Sequence, residues 1–189
     1  MTGNTLMPAP PTAPPIPRPP GNRLAHPQVA HDLLMYRLNR LLAVAGSLVV
    51  RLCEGGYGIT RREWGLLLML AQYPGTPPAE LARRLGLDRA RTSRAITSLL
   101  AKKLIRRDAV PGDRRQARLS LTPAGQAVHD DLFPQIKALN QDLLAGLDAN
   151  AVQMLDGALH DMQQRAEALV ATRTDVPRTY RLRGGRHPN

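Results

Sequence analysis

The sequence predicts a mainly α-helical fold with one small β-hairpin, and three observations point to it. Apolar residues recur every three or four positions along most of the chain, as in amphipathic helices. The segments 105–110 and 116–121 have strand length and flank turn residues at 111–113. Within residues 83–118, twelve Lys or Arg stand against three acids, which is nine of the eleven net positive charges. A short helix, a tight turn, an Arg-rich helix and a hairpin, in that order, predict a winged helix-turn-helix.

The composition favours a protein that binds a polyanion. At 189 residues and 43% hydrophobic, the chain has room for one core-bearing domain. Its sequence pI of about 11.1 suits nucleic acid, acidic lipid or acidic proteins, and charge alone does not choose among them. No apolar run reaches the roughly 18 residues that span a bilayer, and no charged segment leads into an apolar one at the N-terminus. We therefore expect a cytoplasmic protein with no membrane partner.

Residues that carry chemistry are sparse, which argues against an enzyme. The sequence has no glycine-rich phosphate loop, no His pair at metal-ligand spacing and no recognisable set of Ser, His and Asp. The single cysteine, Cys53, excludes an intrachain disulfide and a cysteine-cluster metal site. It is either a small apolar residue near a helix end, which we favour, or a redox sensor. We expect no catalysis, no metal and no other cofactor.

Both ends of the chain differ in composition from the middle. Eight of the thirteen residues from Pro8 to Pro20 are proline, which removes amide donors and keeps the backbone extended. Residues 1–28 are therefore predicted to be a disordered leader, with a polyproline docking motif as the alternative. Residues 173–189 hold five Arg and one acid and are predicted to be a flexible basic tail. One domain remains, at 29–172.

Two helices are predicted before the basic stretch. An apolar stripe over 29–53 predicts a long first helix that Gly55-Gly56 ends. Thr60 is a plausible N-cap for the second helix, because Glu63 stands three residues on, as a capping box requires. The nearly all-apolar run from Trp64 to Leu70 then indicates that this helix is central and buried.

The third and fourth helices form the helix-turn-helix. Thr76 with two prolines restarts a helix that ends before Gly86, and Asp88 caps a helix that runs to about Lys103. On a helical wheel, an apolar inner face is opposed by a small, cationic outer face that has no acid after Asp88. The predicted inner residues are Thr92, Ile96, Leu99 and Leu100, and the outer ones are Arg91, Arg94, Ser98 and Ala101.

Two more helices follow the hairpin. Thr122-Pro123 reads as an N-cap with proline at the first helical position and opens a helix through about Leu147. A last helix fits Ala149 to Thr172. Residues 119–172 contain seven acids and two bases, so DNA would repel them. The apolar positions of the last helix repeat like a packing seam, which we interpret as a subunit interface.

The chain from about residue 36 to 170 resembles the MarR family of bacterial transcription regulators. The segment AELARRLGLDRARTSRAITSLLAKKLIRR lies closely along the helix-turn-helix of that family. The family's wing pattern of Asp, any residue, Arg, five residues and Leu-Thr appears as Asp113, Arg115 and Leu121-Thr122, followed by Pro123-Ala124-Gly125. The resemblance covers roughly seven tenths of the chain. It implies a DNA-binding lobe at about 60–122 and a helical dimerisation region at about 29–55 and 123–172.

Two departures from the family pattern stand in the recognition helix. Lys103 replaces the usual Gly at the end of the helix, so we expect the helix to terminate differently. Asp88, Arg89 and Arg91 replace a commoner Ser/Thr-rich start, and this difference bears on the DNA sequence that is read more than on the fold.

The resemblance implies binding to double-stranded DNA. In such a module the second helix enters the major groove, where an Arg fork can meet the two acceptors of guanine. Arg91 and Arg94 are the predicted base readers, and Ser93, Thr97 and Ser98 are short donors expected to reach phosphates more than bases. Arg89 is also assigned to this surface, although the wheel turns it inward.

The wing and its surroundings are predicted to hold the DNA backbone. A hairpin with Arg at its tip can lie beside or in a minor groove. The resemblance gives that task to Arg115 or Arg114, with Asp113 orienting one of them through an ion pair; a solvated basic turn is the alternative. The other cations are expected to contact phosphates, namely Lys102, Lys103, Arg106, Arg107 and Arg118.

One recognition helix covers too few base pairs for selectivity, so a homodimer is required. Its first and last helices are the expected interface, and the expected operator is an inverted repeat with half-site centres roughly 10 base pairs apart. Repression is favoured over activation, because a dimer on a promoter blocks polymerase without further contacts.

Many relatives bind a small aromatic acid or phenol that weakens operator binding. Materials for such a pocket are present in this sequence. The candidate lining residues are His31, Met35, Tyr36, Arg40, Arg61 and Trp64. Each also has an ordinary structural reading as a core or surface residue, which is favoured for every one of them.

Two other classes of binding protein compete with this interpretation. An architectural protein that coats DNA without sequence choice would also suit the high pI. A protein-interaction module would use the proline leader. A measurement of affinity for random DNA tests the architectural alternative. Deletion of residues 1–28 tests the protein-interaction alternative.

Overall fold

The computed structural model describes residues 21–110 and 113–176, without the side chains of 109–117. Residues 1–20 of the predicted leader, the turn at 111–112 and residues 177–189 of the predicted tail lie outside the described residues. The described part contains six α-helices and two strands: α1 (Leu34–Arg51), α2 (Arg61–Gln72), α3 (Pro78–Arg84), α4 (Arg89–Ala101), β1 (Ile105–Val110), β2 (Asp113–Leu121), α5 (Pro123–Leu144) and α6 (Ala149–Thr172). This mainly helical fold with one hairpin is the one predicted. The chain divides after Ser47 into two compact units.

The first unit starts with a segment that Asp32 holds in place. The carboxylate of Asp32 is buried, accepts the amides of Gln28 and Val29 at 3.0 and 3.2 Å, and pairs with Arg23. Arg23 and Gln28, which lie within the predicted disordered leader of residues 1–28, therefore have defined contacts. The first turn is a short 3₁₀ helix, and α1 begins after it.

The end of the first helical segment lies in the second unit and is a π-helical turn. It spans Leu52–Gly56 and ends at the predicted glycine pair. Cys53 on this turn is fully buried in the core. Burial raises the pKa of the Cys53 thiol, which favours the neutral form. This environment supports the reading of Cys53 as an apolar core residue.

Helix α2 is the centre of the second unit. The predicted capping box is present: Thr60 Oγ1 accepts the Glu63 amide at 3.2 Å, and the Glu63 carboxylate accepts the Thr60 amide at 2.6 Å. The apolar residues of α2 pack against buried side chains from α3, α4, β2 and α5. This core includes Trp64, Leu66, Leu67, Leu70, Leu81, Ile96, Leu99, Leu119 and Leu132.

Helix α3 starts at Pro78, and its N-cap is Pro77 rather than Thr76. Thr76 instead forms an isolated β-bridge with Leu119, in which the Leu119 amide donates to the Thr76 carbonyl at 3.1 Å. Gly75 has φ +73 and donates its amide to the Leu119 carbonyl at 2.9 Å. These two hydrogen bonds attach the loop before α3 to the hairpin. Gly75 can make its bond because glycine tolerates this left-handed conformation.

Helix α4 ends two residues earlier than predicted, in a Schellman motif. The amide of Lys103 donates to the Leu100 carbonyl and that of Leu104 to the Leu99 carbonyl, both at 3.0 Å. Lys103 has φ 57. The expectation of a different helix end was wrong, since Lys103 adopts the left-handed conformation that glycine usually provides here.

The predicted hairpin is antiparallel, and its register runs from Ile105 opposite Leu121 to Ala109 opposite Ala117. Strand β2 begins three residues earlier than predicted. Helix α5 follows at once: Thr122 caps it and Pro123 is its first residue, as predicted. A Cβ at Gly125 would lie 1.9 Å from the Leu104 carbonyl oxygen. Glycine is therefore needed where α5 crosses the end of α4.

The last two helices contribute unequally to the core. Helix α5 ends at Leu144, before the predicted Leu147, and buries Leu132. Helix α6 has the predicted bounds, with Asp148 as its N-cap, and none of its residues is buried. The predicted apolar seam of α6 is therefore largely open to solvent in the single chain.

Candidate nucleic-acid interface

Helix α4 presents a cationic surface because its opposite face is packed. Thr92, Ala95, Ile96 and Leu99 are buried in the second unit. Their burial fixes the rotation of the helix and turns its remaining positions outward. The exposed residues on this surface are Arg89, Arg91, Ser93, Arg94 and Thr97. All five were predicted at the DNA interface, and the wheel's inward direction for Arg89 was wrong.

Arg91 is paired at the start of the helix. Asp88 caps α4 by accepting the Arg91 amide on Oδ1 at 2.8 Å, and its Oδ2 lies 3.0 Å from Arg91 Nε. The two side chains are 56% and 49% exposed. One carboxylate therefore both caps the helix and holds the side chain of a predicted base reader.

Arg94 lies one turn further along α4 and is exposed. None of the described carboxylates forms an ion pair with it. Its guanidinium keeps its donors for an external partner. This is the property expected of a residue that binds an anion or a base edge.

A cleft beside α4 brings residues from three elements together. Arg89 and Ser93 of α4 and Arg107 of β1 line it, with Pro78 and Ala79 of α3 among the other residues. Its volume is about 250 Å³. The sequence assigned Arg107 to a separate set of phosphate contacts, whereas the structure places it beside the recognition helix.

The C-terminal end of α4 is anchored by a buried carboxylate. Lys102 Nζ lies 3.0 Å from both carboxylate oxygens of Glu63 and donates to the Gly58 carbonyl at 2.8 Å. The Glu63 side chain is 2% exposed. Lys102 was predicted to contact phosphate, but its ammonium is already bound inside the protein, so we assign it to holding α4 instead.

Ser98 belongs to the same anchor. It is half-buried and is one of the groups that lower the pKa of Glu63, so the prediction that it points outward is corrected. Burial by itself raises the pKa of Glu63, but hydrogen bonds from Ser98, the Thr60 amide and Lys102 outweigh it. The pKa of Glu63 is lowered overall, and the group is a carboxylate at neutral pH.

The base of the hairpin carries further cations. Arg106 pairs with Asp108 at 2.8 Å, and Asp108 also accepts the Ser120 hydroxyl at 2.8 Å. Arg118 donates to the Gly75 carbonyl at 3.1 Å and is exposed. Lys103 is exposed at the end of α4. The side chains of Asp113, Arg114 and Arg115 lie outside the described residues, so their predicted roles stay predictions.

The six predicted effector residues are divided between the two units. In the first unit, His31 and Tyr36 are in edge contact at 5.0 Å, and Met35 and Arg40 are exposed on α1. In the second unit, Trp64 is 3% exposed and stacks on His129 at 5.8 Å. This burial favours the core reading of Trp64.

Arg61 has a different environment from Trp64. It lines a cavity of about 480 Å³ together with Arg62, Gly65, Leu85 and Leu87. Two guanidiniums over two leucines could receive an anion with an apolar body. Within this cavity, only Arg61 was predicted from the sequence.

Sequence reasoning missed the acids that organise the basic stretch. Glu80 pairs with Arg83 at 2.6 Å and Arg84 at 2.8 Å, and the Arg84 guanidinium stacks on Tyr73 at 4.2 Å. Glu63 was recognised as a cap but not as the partner of Lys102. A signal existed, since a carboxylate on the inner face of an apolar helix needs a buried cation or donors.

Comparisons with known proteins agree with this geometry. A family model described as MarR family matches residues 57–116. A transcriptional regulatory protein for the hcr operon of Thauera aromatica is 30% identical over 124 residues, which cover 66% of this chain and 74% of the relative. The chain belongs to the MarR family.

Solved structures of MarR-like regulators share the fold. PcaV from Streptomyces coelicolor, solved in complex with its natural ligand, is 26% identical with a TM-score of 0.61, over 76% of this chain and 96% of PcaV. BpsR from Bordetella bronchiseptica, whose DNA binding is regulated by 6-hydroxynicotinic acid, is 22% identical with a TM-score of 0.57, over 67% and 98%. As a MarR-family member, this chain is a DNA-binding transcriptional regulator.

Among the residues with described structure, no single helix is long and apolar enough to cross a bilayer. One bent pair among these residues, Leu34–Gly56 with Arg61–Gln72, has the length and composition of a span when the two helices are taken together.

Proposed function

We propose that this MarR-family regulator binds a palindromic operator as a homodimer and represses transcription there. The observation that carries the proposal is the exposed cationic face of α4, which the buried face and the Glu63 anchor hold outward. A helix with this rigid, small and basic outer face can enter a major groove.

Direct base reading is assigned to Arg91 and Arg94, whose guanidiniums can donate in pairs to guanine. Ser93 and Thr97 are short exposed donors suited to phosphates. The remaining exposed cations around them are assigned to the DNA backbone: Arg89, Lys103, Arg106, Arg107 and Arg118. The wing residues Arg114 and Arg115 are assigned to the minor groove on the strength of the family pattern.

Apolar surface on the outer helices supports dimerisation. In the first unit, Leu38 and Leu41 of α1 are 36% and 51% exposed. In the second unit, Leu155 and Leu159 of α6 are 39% and 44% exposed. Rows of exposed leucine at helical spacing are unfavourable in water and are buried by a partner surface. We assign both helices to the dimer interface.

Selection from a random duplex library, followed by footprinting, tests operator recognition. We expect an inverted repeat with half-site centres about 10 base pairs apart, bound at least about 1,000-fold more tightly than random DNA. Protection of a single unrepeated half-site contradicts the dimer proposal. An affinity for random DNA within a few fold of the affinity for the best site indicates an architectural binder instead.

Repression itself needs a separate measurement. Transcription from a promoter that contains the selected site is measured in vitro with purified polymerase. We expect transcript to fall as the protein saturates the site, because a bound dimer excludes polymerase. A rise in transcript would show an activator.

We also propose that a small aromatic carboxylate or phenol weakens operator binding. The complex of PcaV with its natural ligand and the regulation of BpsR by 6-hydroxynicotinic acid support a ligand response in this fold. Arg61 and Arg62 over Leu85 and Leu87 provide charge and apolar surface for such a molecule. His31 before α1, and Met35, Tyr36 and Arg40 on α1, remain further candidate contacts.

Calorimetry with 6-hydroxynicotinate and benzoate as probes tests the ligand response. We expect heat of binding with the native protein and about tenfold weaker binding for Arg61→Ala, because an ionic contact to the carboxylate is lost. Arg37→Ala, which removes an exposed cation from α1 outside the predicted set, is the matched control. If neither probe binds or releases DNA, the ligand proposal for this class fails, while operator binding stands.

A further inference from the structure

We infer that Asp88 is a positioning residue that sets the sequence selectivity of the recognition helix by holding Arg91. This inference rests on the proposed function, because it concerns how one of the proposed base readers is presented. The supporting observation is that both oxygens of one carboxylate are used on the same residue. Oδ1 accepts the Arg91 amide at 2.8 Å, and Oδ2 lies 3.0 Å from Arg91 Nε.

The geometry leaves the reading edge of Arg91 free. Asp88 Oδ2 approaches the guanidinium at Nε, and among the described residues no group accepts a hydrogen bond from the two terminal nitrogens. Those nitrogens can donate in parallel to O6 and N7 of guanine. A guanidinium that is already oriented loses less side-chain freedom when it binds than a free one does.

The backbone around Asp88 makes its carboxylate a rigid support. The Asp88 carbonyl accepts the Thr92 amide and the Thr92 hydroxyl, each at 3.0 Å. Thr92 is 2% exposed, so the first turn of α4 is attached to the core directly behind Asp88. A carboxylate on this turn can orient Arg91, whereas a carboxylate on a mobile loop could not.

The charge of Asp88 also affects the binding of DNA that lacks a specific site. It is the one acid in the 89–101 helix and its cap, and it lies on the surface proposed to approach phosphates. A carboxylate there repels phosphates and so weakens the general attraction to the DNA backbone. It also partly neutralises Arg91 until a base edge accepts hydrogen bonds from the free nitrogens of that side chain. The charge of Asp88 should therefore weaken binding to random DNA more than it weakens binding to the operator.

Stability does not explain the pair. An ion pair between side chains that are 56% and 49% exposed contributes little to stability, because water and salt screen the two charges. Asp88 as an N-cap is replaceable by Asn, which caps helices equally well. Substitution by Asn therefore separates the cap from the charge.

The test measures the ratio of the Kd for random duplex to the Kd for the site that the native protein selects from a random library. Asp88→Asn and Asp88→Ser keep a capping side chain but remove the charge. We expect this ratio to fall about tenfold, because binding to the selected site becomes weaker while binding to random duplex stays the same or becomes tighter. The melting temperature should stay close to the native value.

The matched control is Asp148→Asn. Asp148 is the N-cap of α6, accepts the Ala151 amide at 2.7 Å and lacks a cation among its described partners. This change removes the same charge from the same kind of position. It should leave the ratio at the native value.

A double variant tests whether Asp88 acts through Arg91. Arg91→Lys keeps the charge but loses the planar fork, so it should lower the ratio on its own. The pair of changes is compared on the Kd for the selected site, because the charge of Asp88 changes the random Kd whichever residue stands at position 91. If Asp88 acts by positioning Arg91, adding Asp88→Asn to Arg91→Lys weakens binding to the selected site little further. Independent, multiplicative losses of affinity for that site would overturn the positioning role, and so would an unchanged ratio in both Asp88 variants.

Failure of the inference can be told apart from failure of the proposed function. If the native protein selects no sequence, operator recognition itself is wrong. If the native protein selects a site and Asp88→Asn discriminates equally well, only the role of Asp88 is wrong.

Discussion

The two ends of α4 carry the same kind of charge but use it differently. At the N-terminal end, Arg91 and Arg94 are exposed, and the described acid that contacts Arg91 is Asp88 at the surface. At the C-terminal end, Lys102 is 35% exposed and is paired with Glu63, which is 2% exposed. A cation beside a buried carboxylate becomes part of the structure, whereas a cation beside an exposed acid stays available for a ligand.

This difference divides the work of a recognition helix along its length. The C-terminal end closes in the Schellman turn and is attached to the start of α2 through Lys102 and Glu63. The N-terminal end is held by its packed face and by the Asp88 cap. Charge substitutions at the two ends should therefore change different measured properties, stability at one end and DNA recognition at the other.

The largest expected effect comes from Lys102→Met. The substitution leaves the Glu63 carboxylate buried without its cation, so the free energy of unfolding should fall by about 2 to 4 kcal/mol. Urea denaturation measures it. Lys103→Met is the control, since this neighbouring lysine is exposed and should change stability by less than about 0.5 kcal/mol.

A double variant sharpens that result. In Glu63→Gln with Lys102→Met the buried charge is gone, so part of the lost stability should return. If the double variant is as unstable as the sum of the single ones, Glu63 and Lys102 do not act as a pair.

The next effect is expected at the other end, from Arg94→Ala. Loss of a base-reading guanidinium should weaken binding to the selected site by about 1 to 3 kcal/mol, while urea stability changes by less than about 0.5 kcal/mol. Binding is measured by fluorescence anisotropy at several salt concentrations. Arg165→Ala, which removes an exposed cation from α6, serves as the control. A loss of stability equal to that of Lys102→Met would abolish the contrast between the two ends.

An intermediate to small effect is expected from pH. The pKa of Glu63 is lowered in the folded protein, where hydrogen bonds to Ser98, Thr60 and Lys102 overcome the raising effect of burial. The carboxylate therefore stabilises the fold above the ordinary glutamate pKa, and this contribution is lost as the pH falls through the lower folded value.

Glu63→Gln isolates that contribution from other acids. The native protein should exceed Glu63→Gln in unfolding free energy at pH 7, and the gap should narrow below about pH 4, because a protonated carboxyl resembles the amide. Urea unfolding across this range measures the gap. A gap that stays constant would mean that the charge on Glu63 does not contribute.

Much of the fold was predictable because its signals are local. Helical periodicity, the Thr60 and Thr122 caps and the turn residues between the strands depend on neighbours within four positions, and the elements that they predicted are present. The attachment of Thr76 to Leu119 was not predictable in this way. It joins residues far apart in sequence, and Thr76 before two prolines has the same local pattern as a helix cap.

The candidate site was predictable in direction but not in detail. The helical wheel separated Arg94 from the core correctly, because one face of α4 is apolar and packed. The wheel failed for Ser98, and the assignment of Lys102 to phosphate failed too, since Glu63, which affects both, lies on another helix. A wheel gives the direction of a side chain and carries no information about what another element places there.

The smallest expected effect also concerns the end of α4, and it separates backbone strain from charge. Lys103 has φ 57, a conformation that costs a residue with a Cβ about 1 kcal/mol or more and costs glycine nothing. Lys103→Gly should therefore raise the unfolding free energy by about 0.5 to 1 kcal/mol, after the greater freedom of the unfolded glycine is subtracted. Lys103→Ala removes the same charge but keeps the Cβ, so it should not stabilise. Both variants should lower the salt slope of DNA binding by about two, one for each subunit of the proposed dimer, if Lys103 contacts phosphate. Equal stability of the two variants would show that the left-handed turn is unstrained, and an unchanged slope would remove Lys103 from the DNA surface. Together these outcomes would show whether this lysine was placed at a position suited to glycine because its charge binds DNA.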